Sequence, residues 1–242
     1  RVPDALCTWL AIVAIAAAAA LATVGVVRGT YSAGGSDSSC YALMAEAFAS
    51  GDLQPASALA SEVPWPDASR TFTPGGFVPS ETNRSASAPV CAPGFSVLLA
   101  PVVAAGGRDA LFWVTPLAGA LLVWTTFLAG RALAGPLAGA MAAVLIAASP
   151  TVLYQVVQPM NDITTAAFWM ATYVSLTGRR WALAGACCGL ALLVRPNLLL
   201  LAAVAVVFGV AAEPIPNPRS LVPRMARFGL AATPFALVVL WL

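Results

Sequence analysis

The sequence predicts an all-α polytopic membrane protein of about seven transmembrane helices, with a long first outer loop that bears short surface helices. Three observations carry this. The chain is 60% hydrophobic and only 9% charged, where soluble domains carry about 25% charged residues. Its mean hydropathy is +0.86. Apolar runs of spanning or near-spanning length recur along it, separated by arginine-bearing turns. Residues 1–242 read as one transmembrane domain, with 28–109 as an outer loop within it. The chain opens at Arg1 and ends at Trp241-Leu242 inside an apolar run, so it reads as a fragment, nearly complete at the front and cut short at the back.

Each element has a local reason. Ala5 to Val27 is apolar and long enough to span with some tilt. Gly34 to Asp52 then gives a tight glycine turn, the acidic Asp37 and a short amphipathic helix. Tyr41, Met44, Ala45 and Phe48 share one face at i, i+3, i+4 and i+7. Gly51 falls where a helix C-cap glycine belongs. Such a helix is expected to lie along the bilayer surface and hold Asp37 at the rim. Gln54 to Pro89 is rich in Pro, Ser and Ala, and predicts an irregular, partly mobile loop. Pro93-Gly94-Phe95 restarts order. Phe95 to Ala105 would rise only about 16 Å as a helix, too short to cross, so a second surface or re-entrant helix is expected.

Ala110 to Gly130 is a span. A turn at Arg131 to Pro136 leads into a second, Leu137 to Leu153, followed by the short loop Tyr154 to Asn161. Asp162 opens the span Ile163 to Leu176, which Gly178-Arg179-Arg180 closes. Trp181 to Val194 and Leu198 to Ala212 are two short spans broken by Arg195-Pro196-Asn197. A loop from Glu213 to Arg227 precedes a last span from Phe228. Gly119, Gly130, Gly139, Gly185 and Gly189 suit close helix packing.

Short-loop arginines mark the cytoplasmic side. Here they are Arg131, Arg179, Arg180, Arg219, Arg224 and Arg227. Counting crossings places the amino terminus inside and the loop 28–109 outside. The expected location is the plasma (inner) membrane, multi-pass. The break at Arg195 is needed for this parity. Asp37, Asp162 and Arg195 then meet at one non-cytoplasmic edge.

The chain has no histidine, and all twelve basic residues are arginine. The common neutral-pH base is missing, so acid–base work falls to carboxylates. Asp37 reads either as a helix cap or as a general base. Asp162 reads as a cap or as a cavity-facing group at a span end. Arg195 is a snorkelling arginine or a phosphate site. Arg28 is a weaker phosphate candidate, because many spans simply end in arginine. Cys40 and Cys91 share the outer loop, where a bridge can form, although two cysteines there can be coincidental. Cys187 and Cys188 read as small buried residues. Asn83-Arg84-Ser85 matches a glycosylation sequon that also arises by chance. No ligand cluster predicts zinc, no metal-binding residue is assigned, and no basic cluster with interleaved aromatics predicts nucleic-acid binding.

Four segments, in order, resemble the GT-C fold membrane glycosyltransferases, the group that includes protein mannosyltransferases and aminoarabinose transferases. They are Gly35-Ser-Asp37 through Gly51-Asp52; Ala92-Pro93-Gly94-Phe95 through Leu99; Gly130-Arg131 through Ser149-Pro150 and on to Gln158-Pro-Met-Asn-Asp162; and Gly185 through Arg195-Pro196. The resemblance implies that Asp37 is the general base and that Asp162 assists. It implies a polyprenyl-phosphate sugar donor and inversion at the anomeric carbon. The acceptor would be a lipid, glycan or protein, and membrane lipids would surround the chain. Several members carry a second acidic residue beside the first, where this chain has Ser38; a divalent cation is possible but no cofactor is certain. The competing expectation is a transporter or lipid flippase with Asp162 and Arg195 as substrate groups. A non-catalytic scaffold is a third, with no motif of its own.

Overall fold

A computed structural model describes residues 3–83, 85–212 and 218–241. Arg84 of the sequon, the opening of the loop predicted from Glu213, and the terminal Arg1 and Leu242 lie outside the described residues. The alanine-rich first run forms helix α1 (Asp4–Arg28). The long polar segment follows with α2 (Ser36–Ser50), the single turns α3 (Leu59–Glu62) and α4 (Ala68–Thr71), strands β1 (Phe77–Pro79) and β2 (Ser87–Pro89), and α5 (Gly94–Gly106). A 3-10 segment, Arg108–Trp113, feeds α6 (Val114–Ala134). Then come α7 (Pro136–Ala147), α8 (Pro150–Val156), α9 (Asn161–Thr177), α10 (Trp181–Val194), α11 (Leu199–Ala211) and α12 (Pro218–Trp241).

Among the described residues three helical segments are long and apolar enough to cross a membrane: Asp4–Arg28, Arg108–Ala134 and Arg219–Trp241. The bent pair α7 and α8 makes a fourth if counted as one span. The other predicted spans rest on the shorter helices α9, α10 and α11. Helices α10 and α11 are apolar but only 14 and 13 residues long. A helix rises about 1.5 Å per residue, so each falls short of a bilayer core of about 30 Å.

Other expectations also change. The predicted span Leu137–Leu153 is broken, with a 58° bend between α7 and α8. Ser149 caps the second piece and Pro150 takes its first position, where its missing N–H costs nothing. The loop 54–89 is not irregular throughout. Antiparallel β1 and β2 pair Val78 with Ala88, an extra bridge joins Ala56 to Ala86, and Trp65 stacks on Phe72. Arg219, Arg224 and Arg227 lie on α12 and not in a loop.

Glycines set how closely the helices approach. Late in α1, Gly25 admits Pro116 of α6, and a Cβ there would sit 2.7 Å from the proline ring. Gly185 of α10 lies against the Phe228 backbone of α12. Gly209, near the end of α11, receives the Trp181 ring from the start of α10, so α11 returns antiparallel to α10. One apolar core joins α1, α6, α7, α8 and α9 around Leu21, Val123, Phe127 and Val156. Another joins α9 to α12 around Trp169, Leu176, Trp181 and Phe228. At the end of the bundle where α1 finishes and α6 begins, a third cluster packs Tyr41 of α2 and Phe95 and Leu99 of α5 against Val194 of α10. The apolar face of α2 is thus buried against α5 instead of being left for lipid.

Candidate functional site

The site is built on α2, and α2 is held from every side. Gly51 ends it in the left-handed conformation, φ 87°, as the sequence predicts. A disulfide joins Cys40 to Cys91, tying α2 to the segment just ahead of α5. Tyr41 packs edge-on against Phe95 with ring centroids 5.2 Å apart. The buried Ser96 hydroxyl donates to the Tyr41 carbonyl at 3.0 Å. Over the first turn, Ser39 donates its hydroxyl hydrogen bond to the Gly75 carbonyl at 2.6 Å. Gly76, at φ 87°, lies so close that a Cβ would meet the Ser36 carbonyl oxygen at 2.3 Å.

Neither aspartate is a cap. The N-cap of α2 is Gly35, whose N–H donates to the Ser38 hydroxyl at 3.0 Å. Asp37 is the second helical residue, exposed, with one long bond of 3.4 Å from the Ser36 hydroxyl. The cap of α9 is Met160, and Asp162 is again the second residue of its helix. Both carboxylates sit in a first turn, where the helix dipole favours negative charge. The capping explanation is corrected for both.

Asp162 has a different partner. Nη1 of Arg195 donates to its Oδ1 in an ion pair. Arg195 ends α10 at the break before the Pro196–Leu198 turn, with its own N–H bonded to the Ala191 carbonyl. The sequence break therefore swings a guanidinium out of an apolar helix and onto the start of α9. A guanidinium has five N–H donors, so one pair leaves several unspent.

Tyr41 connects the pair to Asp37. It lies one turn after Asp37 at i+4, on the same side of the helix. Its phenol is pushed up to about 12, first by burial, then by Asp37; Arg195 pulls it down and Asp162 pushes it up. Three charges from three separated segments thus lie within electrostatic reach of one buried hydroxyl. At neutral pH that hydroxyl keeps its proton and is a donor. Tyr41 entered the sequence reading only as an apolar-face residue; its spacing from Asp37 was the available signal. Gln158 also comes up beside Gly34, 3.6 Å from where a Cβ would stand. Arg28 is not brought in. It is exposed at the end of α1, outside the charges acting on Tyr41, with no ion pair among the described residues.

The donor set does not fit a resident metal. Among the described residues no group of three or more His, Cys, Asp or Glu side chains converges. Asp162 is committed to Arg195 and the Ser38 hydroxyl to Gly35, which leaves one carboxylate. A hard divalent cation takes about six or more oxygens. What the residues offer is an exposed carboxylate able to take a proton, a guanidinium able to meet an anion, and a protonated phenol between them.

Comparison of the chain with protein-family models, curated proteins and solved structures gives no match.

Proposed function

We propose that the chain is an inverting membrane glycosyltransferase of the GT-C kind, moving a sugar from a polyprenyl-phosphate donor to a hydroxyl of a lipid, glycan or protein acceptor. The observation that carries this reading is the Asp162–Arg195 ion pair at one end of an apolar helix bundle, with Asp37 and both members of the pair within electrostatic reach of Tyr41. Asp37 takes the proton of the acceptor hydroxyl as its oxygen bonds to the anomeric carbon. The bond from that carbon to the phosphate oxygen breaks, and the lipid phosphate leaves with the electron pair. Arg195 meets the charge that develops there. Asp162 orients Arg195 through the ion pair, so its role is positioning. The donor tail stays in the bilayer while the sugar stands at the rim.

In this reading the shorter helices α9, α10 and α11 also cross, with the bilayer thinned around them, making about seven crossings with the bent α7 and α8 as one. The return of α11 beside α10 supports the alternation. In this reading the membrane is the plasma (inner) membrane, and the arginines at the opposite end support a cytoplasmic side there, with the amino terminus. The test is Asp37→Asn, assayed for transfer from lipid-linked sugar in membranes that hold the protein. Loss of about a hundredfold or more is expected for a general base. Transfer at the unaltered rate removes Asp37 from the mechanism.

A transporter or lipid flippase is the second reading, favoured by one observation: the half-exposed ion pair at a helix break. Uptake of substrate into proteoliposomes without sugar transfer would favour it.

A further inference from the structure

The Tyr41 phenol takes no part in the transfer steps above, yet it is built as a ligand-binding group. Tyr41 is only 5% exposed. Phe95 meets its ring edge-on, and Leu99, Leu111 and Val194 belong to the same apolar cluster. Its hydroxyl makes no hydrogen bond among the described residues; the Ser96 hydroxyl bonds the Tyr41 carbonyl, not the phenol. Nor is the phenol oxygen one of the fully enclosed polar atoms that lack a partner, so it reaches the accessible edge of the cluster. A buried ring thus holds out an unspent O–H donor.

The donor is fixed in place. Cys40, the residue before it, is bridged to Cys91. Gly94 of α5 lies directly on the Leu193 carbonyl of α10, which sets Val194 against Tyr41 and Arg195 one residue beyond. Burial first, and then Asp37, pushes the phenol up to about 12 against the pull of Arg195. It therefore keeps its proton at physiological pH and offers a hydrogen bond, not a base.

The neighbours decide what it meets. Arg195 spends an N–H on Asp162 and has others to give. Asp37, one turn earlier, takes its bond from Ser36 and none from the phenol. A cationic donor and a neutral donor at one edge match an anionic oxygen supplied from outside. In the proposed reaction that anion is the lipid phosphate. We propose that Tyr41 is a catalytic residue that donates a hydrogen bond to the phosphate oxygen linked to the anomeric carbon. The acceptor oxygen bonds to that carbon, and the acceptor proton goes to Asp37. The carbon–oxygen bond to phosphate breaks with its electron pair on the phosphate oxygen. Tyr41 keeps its proton throughout, and its hydrogen bond strengthens as the charge grows. This assignment rests on the transferase reading.

The free lipid phosphate is the leaving group after the step, so its affinity reads the contact without turnover. The experiment titrates the purified protein in neutral detergent with farnesyl phosphate and with farnesol, by isothermal calorimetry. The unaltered protein should bind the phosphate at least about tenfold tighter than the alcohol, and Tyr41→Phe should lose about tenfold or more of the phosphate affinity. Its farnesol affinity should stay within about twofold, because the ring and its packing remain. Asp37→Asn should bind the phosphate as tightly as the parent or more so, since a like charge is gone. Phosphate affinity in Y41F within about twofold of the parent overturns the assignment. So does an equal loss for both ligands, which would mean altered packing, or a matching loss in D37N, which would mean a displaced α2. Equal binding of phosphate and alcohol to the unaltered protein overturns it without any variant. Unaltered sugar transfer by D37N would instead sink the transferase reading and leave these affinities standing.

Discussion

Gly94→Ala is the substitution with the clearest expected consequence. Gly94 is the first residue of α5, and a Cβ built on it stands 1.8 Å from the Leu193 carbonyl oxygen and 2.6 Å from its carbon. Those are backbone atoms of α10, so no side-chain rotation relieves the overlap. Reaching a tolerable separation of about 3 Å or more forces α5 and α10 apart by over about 1 Å. The retreat would open the fully buried contacts of Phe95 and Leu99 and strain the Ser96 bond to Tyr41. Overpacking a tight contact costs about 1–3 kcal/mol, and a backbone obstacle belongs at or above the top of that range. For a chain of this size about 3 kcal/mol corresponds to a Tm lower by about 6–12 °C. The assay is thermal unfolding of the detergent-solubilised protein by tryptophan fluorescence. Gly229→Ala is the control: nothing lies within 4 Å of its Cβ position on α12. There alanine should be neutral or stabilising by up to about 1 kcal/mol. A Gly94→Ala protein that melts within about 1 °C of the parent would refute the close α5–α10 approach on which the placement of Arg195 beside Tyr41 rests.

The remaining predictions concern the site's supports. Reducing the Cys40–Cys91 bond, which spans 51 residues, or replacing both cysteines by alanine, should cost about 2–4 kcal/mol, read as a lower melting temperature. Tyr41 gives a pH signature. Its folded value of about 12 lies above the usual 10.0, so the stability tied to its neutral form is whole below pH 10 and is lost as pH rises through 12. The loss approaches about 2–3 kcal/mol, and Tyr41→Phe should remove that part of the alkaline destabilisation measured by melting against pH. The Asp162–Arg195 side chains are 34% and 39% exposed, so solvent screens the pair. A double-mutant cycle with Asp162→Asn and Arg195→Gln should give a stability coupling of about 1 kcal/mol or less. Loss of activity far beyond that would place the pair's importance in function and not in folding.

Much of the end of the bundle that carries Asp37 was legible because its signals are local. Gly51 needed a left-handed cap, Pro93-Gly94 restarted a helix, and Arg195-Pro196 broke one; each rule acts within a turn. The expectation that Asp37, Asp162 and Arg195 share one end of the bundle followed from alternation of helix direction. What escaped depends on more distant or subtler terms. Strands of three residues at 77–79 and 87–89 are too short for periodicity to register. The bend at Ser149-Pro150 was readable in principle, since proline disfavours helix in the residue before it, but continuous apolarity across 137–153 hid it. The aspartates read as caps because the choice between cap and second helical position turns on one residue of register. Alternation brings Asp162 and Arg195, 33 residues apart, to one end, but it does not fix the side-chain contact between them.

The bridge between Cys40 and Cys91 has a consequence for how this chain can vary. Everything from α3 to β2 hangs between two fixed posts, and of that segment it is the stretch Gly75 to Phe77 that packs on α2. Lengthening a flexible loop costs little, about 0.6 kcal/mol per doubling. The tip around residues 59–72 can therefore be grown, trimmed or exchanged for a foreign tag while the carboxylate on α2 keeps its address.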